Sequence, residues 1–191
     1  MASLVTGSTV NSNLIWHAGN YNRVIARGNP GSATPLLLSS FGEIHYYLGT
    51  NTATIDISTT MVENSVYEVN YFTTSTGSNS DPIILPNYTS YSGEFSCFYW
   101  GSPTFTVFDQ PSLSGFYFDH YGGGVGANPC GTFLCFNQRN RKQCNYYGGD
   151  TGSVALGTGR WNNTTTQWTN VGRFQGIQPS TELRIYVRRV G

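Results

Sequence analysis

The sequence predicts an all-β protein: an antiparallel β-sandwich, jelly-roll-like, preceded by a short N-terminal segment of a different kind. Three observations predict it. Runs of alternating apolar and polar residues recur along the chain. Clusters of Gly, Asn, Ser and Pro separate them. Windows with a 3.6-residue apolar period are nearly absent. Many short strands with such punctuation fold as sandwiches or barrels.

In chain order, residues 54–57 alternate, and residues 65–72 alternate over a longer run. There Val66, Glu68, Asn70 and Phe72 share one face, and Tyr67, Val69 and Tyr71 share the other. Residues 93–100 and 103–108 read as aromatic strands, and 115–118 and 132–136 continue the pattern. The clearest strand is 182–188. Leu183, Ile185 and Val187 point one way, and Glu182, Arg184, Tyr186 and Arg188 the other, the signature of a half-buried antiparallel strand. Turns are read at 27–32, 75–82 and 121–126. No repeat of fixed period is present. A boundary falls near residue 25, because residues 1–25 contain little that builds a core and strand signals become dense from about residue 33.

The chain has 191 residues, of which 10% are charged, with ten basic and ten acidic side chains. A neutral chain gains nothing from counterion release, which argues against nucleic acid as a partner and, equally, against a membrane surface. Aromatic residues make up 15% of the chain, too many for a disordered one. The opening stretch lacks the basic and apolar regions of a signal peptide. The longest apolar run, at 35–38, is too short to insert into a bilayer.

The cysteines are Cys97, Cys130, Cys135 and Cys144. Their spacing matches no common zinc pattern. Buried or free thiols, one disulfide, and a metal site remain open readings, with thiols favoured and no metal or cofactor expected. Catalytic chemistry is hard to find. No G-x-S-x-G element marks a serine nucleophile. The triple glycine at 122–124 lacks the Lys-Ser/Thr of a phosphate loop. Asp119-His120 is the best acid/base candidate, but a polar turn explains it more simply. Nothing pairs Asp109 with Asp119 as a glycosidase requires. A non-enzymatic protein is expected.

Asn13-Leu14-Ile15-Trp16-His17-Ala18-Gly19-Asn20 is similar to the short I-W-H-x-G-N element of tailed-bacteriophage tail fibre proteins. The closing stretch 185–190 resembles, more weakly, the last strands of phage tip domains. Tyr21-Asn22-Arg23-Val24 departs from the family, which often continues with an acidic Asp-Gly stretch. The resemblance implies a fibre-shaft remnant over 1–25, with Trp16 and His17 at a trimer axis, and a receptor-binding tip over 26–191. It implies a homotrimer on the virion, at the tip of a tail fibre. Its partner would be a bacterial surface glycan (lipopolysaccharide, capsule or teichoic acid) or a surface protein.

Two stretches combine aromatics with Gly, Asn and Arg and are expected to form binding loops. Residues 116–126 supply Tyr117, Asp119, His120 and Tyr121. Residues 137–150 supply Arg139, Arg141, Asn145, Tyr146 and Tyr147, with Trp161 close behind. Flat aromatic faces stack on sugar C–H surfaces while Asn, Asp and Arg hydrogen-bond hydroxyls; Tyr and Trp give contact area at low entropy cost. The plainer reading is that some of these aromatics belong to the core. The alternatives to a fibre tip are a free-standing lectin-like carbohydrate-binding module and, less favoured, a small esterase or glycosidase acting on surface polysaccharide.

Overall fold

A computed structural model describes residues 25–28, 36–37, 44–50, 52, 54–75, 83–89, 93–101, 104–113, 115–117, 130–149, 153–175 and 180–191. Trp16, His17, Asp119, His120 and Tyr121 lie outside these residues, as do the turns at 29–32 and 121–126. The described chain is nearly all strand. In order these are β1 (Ile25–Gly28), β2 (Leu36–Leu37), β3 (Ile44–Gly49), β4 (Ile55–Thr60), β5 (Ser65–Ser75), β6 (Ile83–Leu85), β7 (Gly93–Gly101), β8 (Thr104–Leu113), β9 (Phe116–Tyr117), β10 (Cys130–Gln138), β11 (Arg141–Gly149), β12 (Ser153–Trp161), β13 (Asn170–Gln175) and β14 (Ser180–Arg189). One 3-10 turn, Pro86–Tyr88, follows β6.

The strands form two sheets. A nine-stranded sheet runs β1-β3-β14-β5-β10-β11-β12-β7-β8, and a five-stranded sheet runs β2-β4-β13-β6-β9. Pairing is antiparallel except at two edges, β1 on β3 and β2 on β4. The all-β sandwich expected from the sequence is therefore the observed architecture. The loop expected over 137–150 is not. Residues Cys130–Gln138 and Arg141–Gly149 are two strands of a tight hairpin, with Gln138 opposite Arg141 and only Arg139 and Asn140 between them. The sheet overrides the polar, Gly-rich composition of this stretch because the even-numbered residues of β11 face the core.

The core lies between the sheets. Tyr67, Val69 and Tyr71 of β5 and Leu183, Ile185 and Val187 of β14 are all buried, as the alternation predicts. Phe174 of β13 closes on them from the smaller sheet, with ring centroids 4.9 Å from Tyr71 and 6.0 Å from Phe133. Trp168 is fully buried 5.1 Å from Phe116. A buried polar contact also joins the sheets: Thr59 Oγ1 lies 2.8 Å from the Tyr47 hydroxyl and 2.8 Å from His45 Nδ1. These hydroxyls and the ring nitrogen satisfy one another where water is excluded.

Two local devices shape the smaller sheet. β13 carries an irregularity between Asn170 and Gly172, and Gly172 adopts φ +100°. A side chain there would meet the Leu85 carbonyl oxygen at 1.9 Å, so only glycine lets β13 approach the chain after β6. Asn87, itself at φ 53°, ties the 3-10 turn to the approach to β13. Its Oδ1 accepts from the backbone N–H groups of Thr169 (2.8 Å) and Asn170 (3.0 Å), and its Nδ2 donates to the Gln167 carbonyl at 2.7 Å.

Candidate functional site

The nine-stranded sheet has a second, outer face that the five-stranded sheet does not cover. Alternation decides what stands there. On β5 the outward residues are Val66, Glu68, Asn70 and Phe72; on β14 they are Glu182, Arg184, Tyr186 and Arg188. Because β14 and β5 are neighbours, Tyr186 stands opposite Asn70, Arg188 opposite Glu68 and Arg184 opposite Phe72. On the far side of β14, Tyr186 stands opposite Tyr46 of β3.

Four large apolar side chains on this face are open to solvent: Phe72 at 51%, Tyr147 at 63%, Val154 at 47% and Leu156 at 48%. They lie on strands β5, β11 and β12 of the same face. Tyr147 stands opposite Leu156, and the register row from Phe72 passes through Cys130 and Gly149 to Val154. Three strand spacings separate the two ends of that row, about 14 Å, with the small residues Cys130 and Gly149 between them. Tilted and edge-on aromatic contacts continue the surface toward β3. Tyr186 lies 6.0 Å from Phe72 at 82° and 5.0 Å from Tyr46 at 36°.

Polar groups on the same face are fixed in two networks. In the first, Thr132 Oγ1 donates to Asn70 Oδ1 at 2.6 Å, Asn70 Nδ2 donates to Glu68 Oε1 at 2.6 Å, and Arg188 Nη2 donates to Glu68 Oε2 at 2.7 Å. In the second, Gln143 Nε2 donates to Asn145 Oδ1 at 2.8 Å and Thr158 Oγ1 donates to the same oxygen at 3.0 Å. Two shallow clefts accompany them. One, of about 230 Å³, is lined by Ile44, Glu68, Asn70, Phe72, Tyr186 and Arg188. The other, of about 220 Å³, is lined by Phe136, Gln138, Arg141 and Gln143.

The residues nominated from the sequence divide between the two faces. Tyr147, Asn145 and Arg141 all lie on the outer face, and Arg139 is exposed in the hairpin turn at the end of the same strands. Tyr117 belongs to β9 at the edge of the five-stranded sheet, and its side chain lies outside the described residues. Tyr146 and Trp161 are corrections. Tyr146 is 3% exposed, its hydroxyl 2.7 Å from that of Tyr71, and Trp161 is 5% exposed. Both sit on the inward phase of their strands, so neither can touch a large ligand.

In the stretch Arg139-Asn140-Arg141-Lys142, the first three residues are exposed at the hairpin turn, whereas Lys142 points inward and is buried. Its ammonium donates to the Asn163 carbonyl at 2.7 Å and lies 5.0 Å from the centre of the Trp161 ring, its cross-strand neighbour. Burial holds its pKa below the usual lysine range, and the nearby Glu63 carboxylate works against that shift.

The face also contains residues that sequence reasoning did not nominate: Tyr46, Glu68, Asn70, Phe72, Val154, Leu156, Tyr186 and Arg188. The alternation of β5 and β14 had already set their outward residues apart from the core. What a single sequence does not reveal is that these two strands, far apart in the chain, lie side by side.

The thiols are free where described. Cys135 and Cys144 face each other in the core with sulfurs 3.8 Å apart, and Cys130 is exposed on the outer face. Among the described residues no group of three His, Cys, Asp or Glu converges to hold a metal ion. No protein-family model matches the chain, and no curated protein matches it in sequence.

Proposed function

We propose that this chain is the receptor-binding tip of a bacteriophage tail fibre, a non-enzymatic domain that attaches the virion to a bacterial surface glycan or surface protein. The observation that carries the reading is the outer face of the nine-stranded sheet, where Phe72, Tyr147, Val154 and Leu156 stand open to solvent beside fixed hydrogen-bonding groups. Exposed apolar side chains gathered in one place and rimmed by polar groups mark interaction surfaces. The fibre-like element around Trp16 and His17 supports the virion context.

The same reading makes the protein a homotrimer, with residues 1–25 near the three-fold axis. Closed symmetry would give three copies of the face on one fibre, and avidity would multiply a weak contact. The test is binding of the purified protein to a panel of bacterial cells and to their isolated envelope glycans, beside a mass measurement in solution. Binding to one host with trimeric mass supports the reading. Failure to bind any cell, together with a monomer at micromolar concentration, overturns it. Turnover of a purified polysaccharide would instead favour an enzyme.

A further inference from the structure

We infer that the cleft formed by Tyr186, Phe72, Glu68, Asn70 and Arg188 on the outer face is a binding subsite for one neutral pyranose sugar ring. The inference rests on reading that face as a recognition surface, and it goes further by naming the ligand class and the residues.

The lining selects the chemistry. Phe72, half exposed, forms an apolar wall edge-on to Tyr186, which continues onto Tyr46. Facing it is a polar edge with acceptor and donor groups side by side: the Glu68 carboxylate, the Asn70 amide and the Arg188 guanidinium. Their positions are set before any ligand arrives. Asn70 is held from both sides, by Thr132 on its oxygen and by Glu68 on its nitrogen, and Arg188 is held on Glu68. Such preorganisation removes part of the ordering cost of binding.

Charge removes the other candidates. Glu68 and Arg188 pair at 2.7 Å, so the charges of the described lining residues balance. A phosphate or carboxylate ligand would meet the Glu68 carboxylate, and a cationic one would meet the guanidinium. A peptide adding to the sheet needs unpaired backbone at an edge, whereas β14 and β5 are interior strands with partners on both sides. What fits is a neutral ring with an apolar C–H face and hydroxyls that both donate and accept. The size agrees, since about 230 Å³ lies below the roughly 300–1,000 Å³ of sites for drug-sized ligands.

The experiment is a titration of isotope-labelled full chain, followed by amide chemical shifts, with the methyl glycosides of glucose, galactose, mannose and N-acetylglucosamine, and with glucuronate as the acidic arm. At least one neutral glycoside should shift the signals of residues 68–72 and 184–188. Phe72→Ala and Glu68→Gln should each weaken that binding about tenfold, the factor given by losing one contact of ~1.4 kcal/mol. Thr164→Ala, at an exposed position between β12 and β13, should bind as wild type does. Unchanged spectra of the variants away from the substitution establish that they fold. Several results overturn the subsite: shifts confined to the Phe136–Arg141 cleft, preference for glucuronate, or binding untouched by both variants. If cells bind but no glycoside does, the subsite falls and the recognition reading stands. If neither binds, both fall.

Discussion

The hydroxyls of Tyr71 and Tyr146 lie 2.7 Å apart in the core, although the two residues sit on strands that are not neighbours. β10 runs between them, and at that point it carries Gly131, which stands opposite both Tyr71 and Gly148. A side chain at Gly131 would meet Tyr146 at 2.8 Å and Tyr71 at 2.9 Å. At Gly148 it would meet the Tyr146 hydroxyl at 2.2 Å. Two facing glycines thus open the space that two tyrosine rings fill.

The first prediction follows. Tyr146→Ala should destabilise the fold by about 3–5 kcal/mol, as removal of a large buried aromatic does. Tyr146→Phe should cost about 1 kcal/mol through the lost hydrogen bond. Gly148→Ala should cost about 1–3 kcal/mol by overpacking against the same ring. Denaturant melts of the three variants check this, and a Gly148→Ala protein as stable as wild type would refute the packing argument.

The fold was legible in the sequence where side chains alternate without interruption. β5 and β14 divide into a buried face and an open face, and the alternation over 65–72 and 182–188 sorts those residues onto the same two faces, though the strands extend to Ser75 and back to Ser180. β11 was not legible in this way. Its inward residues are Lys142, Cys144, Tyr146 and Gly148, of which one is cationic and one has no side chain, so the alternation carries no apolar signal. Lys142 can occupy that position only because Trp161 and the Asn163 carbonyl receive its ammonium, and neither partner is apparent from local pattern. The candidate site was legible in part for the same reason. Tyr147, Asn145 and Arg141 stood out by composition, but Tyr186 and Phe72 belong to one surface only through a long-range strand pairing.

The second prediction concerns alkaline pH. Burial raises the phenol pKa of Tyr47 and Tyr67 above the usual 10.0, and that of Tyr88 to about 12. Each ring holds its proton more tightly folded than unfolded. Its contribution is therefore complete below the unfolded value and is lost as pH rises through the folded one. The melting temperature should fall steadily between about pH 10 and about pH 12. Tyr88→Phe, which leaves no ionisable group at that position, should retain a larger share of its neutral-pH stability across that window.

The third prediction separates the thiols. In a protein with Cys97 replaced by Ser, one cysteine, Cys130, should react with a maleimide under native conditions. Cys135 and Cys144 should react only after unfolding. Both are buried, and burial beside the Cys135 thiol pushes the Cys144 pKa well up, so little thiolate is present to attack. Mass spectrometry of the labelled protein counts the adducts, and two or three adducts before unfolding would refute it.

The last prediction uses adjacent residues that the pleat sends in opposite directions. Tyr147 is 63% exposed and Tyr146 is 3% exposed. Tyr147→Ala should leave the stability within about 0.5 kcal/mol of wild type, the usual range for a surface substitution. If the outer face is the recognition surface, the same change should weaken attachment to host cells by the loss of a contact worth on the order of 1–3 kcal/mol per site. Three copies on one fibre would enlarge that loss. Tyr146→Ala should do the reverse: any loss of attachment should track unfolding and disappear at a temperature where the variant stays folded. Attachment measured beside thermal melts for both proteins distinguishes the two. A Tyr147→Ala protein that attaches as wild type does would move the recognition surface away from β11 and β12.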